Sequence, residues 1–388
     1  MIDPDVQDIE PEEENGQAGG DAKEKEYQHV IAPTAQFVFC GNCFRADTYR
    51  GCNFGCRYCF ANCRENAYKP IDMPGNVALA RRWMDQALNQ GQKHNIVLEM
   101  LNRRVPLHLG GMSDPFQSRE WKMGRTKEFL KITREFNYPV SISTKVSELP
   151  KAYFEILDPK IHTFQISLIG VSADYIRRFE TNTPEPEQRI NFVLELKERG
   201  FWVSIRIQPL IDLEEALSLV QTTSNFVDYY TVEHLKLFKT NPALIKVMLP
   251  LLATTDKHYP LMEDGIKWAF ATRQKKENVD AIRAVTTVPV GCGDNDLHEC
   301  SDSLNCCGVD LMPPAFENWF KYNSMYIKMT GGDRTQWYPT SNCDLLLKSK
   351  LTRGGEGRFK TIKEAVDSYY LGLYGPDEQM RLFPGELI

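Results

Sequence analysis

From about residue 34 the chain alternates short apolar runs with amphipathic segments. Strands are expected at 36–39, 107–110, 139–144, 163–168, 202–207 and 229–233, and helices at 77–90, 122–136, 149–157, 185–199 and 213–223. Six strands with intervening helices read as successive βα units, and hence as a parallel sheet with helices packed on it. The helix at 185–199 has the clearest ends. Thr183 or Pro184 opens it, Glu185 and Glu187 suit its positive end, and Gly200 closes it. After residue 235 the alternation is lost. Helix-like stretches at 242–252 and 260–278 lead into a cysteine-rich loop, and the last 60 residues are rich in Gly, Tyr and Lys. The expected organisation is a disordered acidic tail at 1–30, an α/β core at 34–240 and a mixed C-terminal extension at 241–388.

Composition narrows this picture. With 42% hydrophobic and 25% charged residues, the 388-residue chain can build a packed core. The net charge of −6 is unevenly spread. Residues 1–27 hold ten acidic residues against two lysines, so the remainder is close to neutral and is no basic nucleic-acid coat, although a local basic groove is compatible with it. No apolar run reaches the roughly 18 residues of a membrane span. The nearest, 243–255, is interrupted by Lys246 and Pro250. The acidic N-terminus lacks the basic start and apolar centre of a secretory signal, and a cytoplasmic setting is expected. Eleven cysteines, an odd number, point to metal chemistry before disulfides in a reducing compartment.

The sharpest motif is Cys52-Asn-Phe-Gly-Cys56-Arg-Tyr-Cys59-Phe60, placed just after the first expected strand. Three thiolates at this spacing suit three corners of a [4Fe–4S] cube, leaving the fourth iron open to a further ligand. Gly51 and Gly55 let the loop curl so that the thiols converge. A zinc knuckle completed by Cys63 is the alternative.

The setting of this loop resembles the radical S-adenosylmethionine (SAM) superfamily, and more narrowly its spore photoproduct lyase and "DNA repair photolyase" branch. The resemblance is carried by residues 49–61, by Gly110-Gly-Met-Ser-Asp-Pro-Phe-Gln117, by Ser143-Thr-Lys145, by Gln165-Ile-Ser-Leu168, by Arg178-Phe-Glu-Thr-Asn-Thr-Pro184 and by the helix from Glu187 to Arg199, all in order within 45–235. It implies a partial (β/α)6 barrel with Cys52, Cys56 and Cys59 binding a [4Fe–4S] cluster. It also implies reductive cleavage of SAM to a 5′-deoxyadenosyl radical that takes a substrate hydrogen. By the same resemblance Tyr58 and Phe60 flank the adenine, and Ser113 and Asp114 meet the methionine end. Lys145 and Ser167 meet the carboxylate or ribose, and Gly110, Gly111, Arg206 and Glu233 complete the SAM site. The plainer alternatives are a turn for Asp114, a solvated strand end for Lys145 and a core hydroxyl for Ser167. Two departures stand out. Where the lyase has a hydrogen-donor cysteine this chain has Gly111, and where it has a relay tyrosine this chain has Phe60.

A second cysteine group, Cys292, Cys300, Cys306 and Cys307, lies among Gly291, Gly293, Asp294, Asn295, Asp296 and Asn305. Such a polar loop is expected to hold an auxiliary iron–sulfur cluster or zinc, with Cys343 and His298 as spare ligands. Reduced, partly buried thiols are the plainer alternative. Cys40 and Cys43 are expected to be structural and Cys63 to be packed on a helix. The segment 348–360 is basic and reads as a solvated charge run or a phosphate clamp. Together these readings predict a radical SAM enzyme fed by a reductant such as flavodoxin or ferredoxin, with the extension covering the barrel mouth. A lyase-type reaction on a nucleobase or nucleoside is the first expectation, on family analogy. The alternatives are modification of a peptide or protein with the help of an auxiliary cluster, or a non-enzymatic, metal-stabilised nucleic-acid-binding protein.

Overall fold

The computed structural model describes residues 25–34, 40–61, 73–253, 259, 261–263, 267–294, 296–297 and 300–321. The expected strand at 36–39, most of the acidic tail, Cys63, His298, Cys343 and the segment 348–360 lie outside the described residues. Eight strands form the main sheet in chain order: β1 (Ile31–Pro33), β2 (Phe44–Ala46), β3 (Leu107–Leu109), β4 (Val140–Thr144), β5 (His162–Ser167), β6 (Val203–Leu210), β7 (Tyr229–His234) and β8 (Val290–Cys292). β1 is antiparallel to β2, and every later pair is parallel.

Helices make the crossovers. α1 (Val77–Leu88) and α2 (Ile96–Asn102) join β2 to β3, and α3 (Arg125–Glu135) joins β3 to β4. α4 (Ala173–Phe179) and α5 (Pro186–Glu198) join β5 to β6, and α6 (Leu213–Thr223) joins β6 to β7. α7 (Pro242–Ala253) and α8 (Thr272–Ala284) precede β8. α5 begins in a capping box between Glu185 and Gln188, with Pro186 in its first turn, so two of its free N–H groups are satisfied at once. Gly124, at φ 66°, splits the helix expected at 122–136 into a short Glu120–Met123 turn and α3.

The side-chain alternation of the strands separates two environments. Phe164 of β5 faces outward to Phe192 of α5, with ring centroids 6.3 Å apart, and Tyr230 of β7 reaches Thr223 of α6. The opposite face is polar: His108, Ser143, Gln165 and Arg206 hydrogen-bond to one another. Strands in a sheet lie ~4.8 Å apart, so β3 and β6 would be about 14 Å apart if flat. The 3.4 Å approach of Arg206 Nη1 to His108 Nε2 fits a sheet curled around this polar face. It is the interior of a partial barrel.

The sheet does not stop at residue 240. Val290, Gly291 and Cys292 pair with Tyr230, Thr231 and Val232, adding one more parallel strand. The stretch expected to be helical from 260 instead forms Leu261–Glu263 and Lys267–Phe270, which pair with each other and with Lys236–Phe238 before α8 begins. Aromatic Trp268 and Phe270 suit a pleated surface better than a helix.

Residues 303–320 of the extension lie at the end of the barrel opposite the expected mouth. Trp319 packs in a cluster with Val309, Met312 and Phe316. Thr163, at the start of β5, donates to Met312, and Phe320 N–H bonds to Gly41 O, ahead of β2, at 3.0 Å. Gly308 (φ 63°) lies against the ring of Tyr229, the first residue of β7. These contacts all fall at the N-terminal ends of the strands, so residues 303–320 plug the base. No helix among the described residues is long and apolar enough to cross a membrane.

Candidate active site

The cluster loop at 51–61 follows β2 and is held from two sides. On one side Gln117, fully buried, donates Nε2 to Gly51 O at 2.9 Å and accepts from Asn53 N–H at 3.2 Å. On the other side the segment after α4 forms a short antiparallel bridge between Glu180 and Cys56. Arg57 N–H bonds to Phe179 O at 2.8 Å, and Asn182 N–H bonds to Phe54 O at 3.1 Å. Asn182 Nδ2 reaches Asn53 O and Thr181 Oγ1 reaches Gly55 O, each at 3.1 Å. Gly55 must be glycine here. Its φ is 65°, and a Cβ would stand 2.6 Å from Thr181 Oγ1. The three thiols therefore sit on a backbone fixed by the protein. Cys56 is 6% exposed, and Cys52 and Cys59 are partly exposed. Burial and the nearby Asp114 push the Cys52 thiol up to about 12.

Beneath this loop Glu180 organises a charged network. Its carboxylate accepts from Lys145 Nζ at 2.9 Å, from Arg189 Nη1 at 2.8 Å, from Thr183 Oγ1 at 3.1 Å and from the Tyr58 hydroxyl. Burial opposes the charge, but Arg189 and Lys145 more than offset it and hold the carboxyl at about 2. Lys145 also donates to Tyr58 Oη at 2.9 Å and lies 5.5 Å from the centre of that ring. Neither Glu180 nor Arg189 was among the expected site residues. The run Arg178–Pro184, which holds Glu180, and the helix from Glu187 to Arg199, which holds Arg189, carried the only signals, and neither assigned a partner.

Other expected residues are placed as follows. Asp114 is buried, and its carboxylate accepts from Phe116 N–H (2.9 Å), Thr144 Oγ1 (2.9 and 3.1 Å) and Lys145 N–H (2.7 Å). It ties the loop after β3 to the end of β4, where Lys145 sits. Burial raises it to about 6 against these hydrogen bonds. The Ser113 hydroxyl donates to Tyr49 O at 2.5 Å. Gly110, at φ 93°, lies against Ser143 O so closely that a side chain would overlap it. Gly111 has His108 and Arg45 as its nearest side chains. Phe60 is 58% exposed at the loop's end. Ser167 is partly exposed, accepts from Arg189 Nη1 through its carbonyl at 2.9 Å, and is the register partner of Arg206. Glu233 bonds Lys236 Nζ at 2.7 Å. The loops after β2 through β7 thus bring the expected residues to one end of the barrel, the C-terminal end of the strands.

The second cysteine group does not assemble as expected. Cys292 and Cys300 are buried in the main hydrophobic core. Cys292 donates from its thiol to Asp294 Oδ2 at 3.8 Å, within a buried set in which Asp294 pairs with His234 at 2.6 Å and with Lys236 at 3.1 Å. Cys306 and Cys307 (Sγ to Sγ 3.7 Å) are joined instead by Cys40, which hydrogen-bonds Cys307 inside the barrel. Among the described residues no three His, Cys, Asp or Glu side chains stand as a single-ion site. The cluster loop does not need one, because each thiolate of a cubane binds its own iron.

Residues 47–220 match the Radical SAM superfamily. Among solved structures, spore photoproduct lyase complexed with dinucleoside spore photoproduct is 16% identical, covering 63% of this chain and 73% of that one at a TM-score of 0.47. Streptococcus suis SuiB bound to S-adenosylmethionine is 17% identical, covering 51% and 41% at a TM-score of 0.38. No curated protein matches the chain. The family's cofactors are a [4Fe–4S] cluster and SAM. The chain thus carries a radical SAM superfamily domain over residues 47–220, and that domain marks it as an enzyme.

Proposed function

We propose that Cys52, Cys56 and Cys59 hold the [4Fe–4S] cluster and that the mouth above β4 to β7 holds SAM. The single observation that carries this is the clamp: three thiols within eight residues, on a loop pinned by Gln117 and by residues 179–182. When bound, the cluster and SAM supply a one-electron cleavage that yields a 5′-deoxyadenosyl radical for hydrogen abstraction. The chain's own residues position the partners. Lys145, fixed by Glu180, offers a cation toward the methionine carboxylate. Asp114 acts by holding the Lys145 backbone in place. Tyr58 and Phe60 border the loop on the adenine side, with Ser113, Gly110, Gly111 and Ser167 lining the approach. A reductant such as flavodoxin or ferredoxin delivers the electron.

The ordered motifs support a nucleobase or nucleoside as substrate and a lyase-type reaction. Gly111 and Phe60 have no S–H or O–H, which supports chemistry other than repair of the thymine spore photoproduct. The test is anaerobic reconstitution followed by dithionite and SAM. About four iron per chain and formation of 5′-deoxyadenosine are expected, and absence of 5′-deoxyadenosine from the loaded protein overturns the reading.

A further inference from the structure

Among the described residues, the barrel interior below the proposed SAM mouth holds one cation, Arg206, whose hydrogen-bond partners are all neutral. Arg206 Nη1 donates to Ser143 Oγ at 2.9 Å, and Nε and Nη2 both donate to Gln208 Oε1, Nε at 3.1 Å. His108 Nε2 lies 3.4 Å away, and burial together with Arg206 holds that imidazole at about 4, so it is neutral near pH 7. Neighbouring cations are matched: Lys145 with Glu180 at 2.9 Å, Arg189 with Glu180 at 2.8 Å, Lys236 with Glu233 at 2.7 Å and Arg45 with Asp47 at 2.6 Å. No carboxylate lies within ion-pair distance of Arg206 among the described residues. Hydrogen bonds from Cys306 and Cys40, together with the charge of Arg206, hold the Cys307 thiol well below its ordinary value, so among the described residues a sulfur, and no oxyanion, is the nearest negative group. Arg206 is partly exposed to the interior.

A second observation concerns the flanking side chains. Gln165 Nε2 and Thr231 Oγ1 are buried and have no hydrogen-bond partner among the described residues. Gln165 is joined to the Arg206 network through Ser143, whose hydroxyl is 3.1 Å from Gln165 Oε1, and Thr231 is the register partner of Arg206 on β7. Buried polar groups are nearly always paired, so two such groups beside a guanidinium without a carboxylate ask for an acceptor. A group with several acceptor oxygens and no proton of its own fits. The planar guanidinium fork suits a carboxylate or phosphate better than it suits a base edge or a sugar hydroxyl.

We propose that Arg206, Gln165 and Thr231 form an oxyanion site in the barrel interior that holds a carboxylate or phosphate of the small-molecule substrate. The proposal deepens the functional reading and rests on it for the role of the interior, while the anion binding can be measured apart from it. The reconstituted holoenzyme is titrated calorimetrically with acetate, inorganic phosphate, thymidine 5′-monophosphate and thymidine, with SAM titrated in parallel. At least one of the three anions is expected to bind, weakened about tenfold or more in Arg206→Gln, as loss of a charge-assisted contact implies. SAM affinity in the same samples separates this role from the SAM contact that the resemblance implies for Arg206, since anion binding should fall by the larger factor. Preference for acetate identifies a carboxylate. Preference for inorganic phosphate, or for thymidine 5′-monophosphate over thymidine, identifies a phosphate ester. Arg206→Lys keeps the charge but not the fork, so it should bind the same anion with intermediate affinity, and it provides the measurement if the Gln variant does not fold. Anion binding that is absent, or unchanged in both variants, overturns the proposal. So does a loss confined to SAM, which would assign Arg206 to the SAM carboxylate. Formation of 5′-deoxyadenosine by the same samples reports separately on the radical reading, which can stand or fall without the anion site.

Discussion

Glu180→Gln tests the network beneath the cluster loop. The carboxylate is 1% exposed and accepts from Lys145, Arg189, Thr183 and Tyr58. An amide supplies one acceptor oxygen and turns two N–H groups toward a site already full of donors. Arg189 has a side-chain exposure of 0% and cannot retreat to water, whereas Lys145, at 13%, can do so in part. Breaking a buried ion pair by removing one partner costs about 3–5 kcal/mol. The partial freedom of Lys145 places the expected loss near the lower figure, about 3 kcal/mol. Urea unfolding at pH 7, read as a change in midpoint at constant slope, measures it. The double variant Glu180→Gln/Arg189→Met replaces the stranded cation with an apolar chain and should recover part of the loss. A loss below about 1 kcal/mol in the single variant would mean that the network is a screened surface contact, and the argument for Glu180 as the support of Lys145 would fail.

The clamp makes further predictions. Thr181→Ala combined with Asn182→Ala removes side-chain bonds to Gly55 O and Asn53 O, each worth about 1 kcal/mol. The variant should fold but release cluster iron faster to a chelator, and an unchanged rate would discount the clamp. Gly55→Ala forces a side chain into a left-handed position against Thr181, at a cost of about 1–2 kcal/mol; iron per chain should fall while far-UV circular dichroism is kept. Asp114→Asn leaves the Thr144 hydroxyl or the Lys145 N–H without its acceptor, costing about 1–3 kcal/mol, so SAM should bind more weakly at full iron content. His162 is buried, and burial lowers it to about 4 from an unfolded value of about 6.5. Its neutral form carries no penalty above that range. As pH falls from about 6.5 to 4 the unfolded chain gains a proton that the folded chain refuses, so stability should drop there. The drop should be shallower in His162→Gln when the unfolding free energy is followed against pH.

Much of the barrel is legible in the sequence because its strands obey a simple rule. From 139 to 234 apolar residues alternate with Ser, Thr, Gln and Arg, and β4 to β7 appear within a few residues of where that alternation places them. β8 is invisible because it is three residues long and its middle residue is Gly291, where a side chain would overlap Tyr229 and the Cys306 carbonyl. The packing that requires glycine there also removes the strand signal. The Glu180–Arg189 pair has no local pattern, since its partners approach only after β5, α4 and α5 have folded. The setting of the extension's cysteines is hidden for a related reason. Their polar neighbours suggest an exposed loop, but Ser301, Ser303 and Asn305 are themselves buried and hydrogen-bonded against β7 and β8. Burial in this segment follows from its path across the barrel base, which composition cannot reveal.

The central claim is that Cys52, Cys56 and Cys59 carry the one cluster that cleaves SAM. It is tested most directly by forming 5′-deoxyadenosine under dithionite with the wild-type chain, with each single Ala variant of these three cysteines, and with Cys292→Ala/Cys300→Ala as the contrast. Each single loop variant should lose product formation to background, because a three-thiolate set has no spare ligand. The contrast variant should, where it folds, still bind about four iron and cleave SAM. Product formation by any loop variant at the wild-type rate would contradict the account.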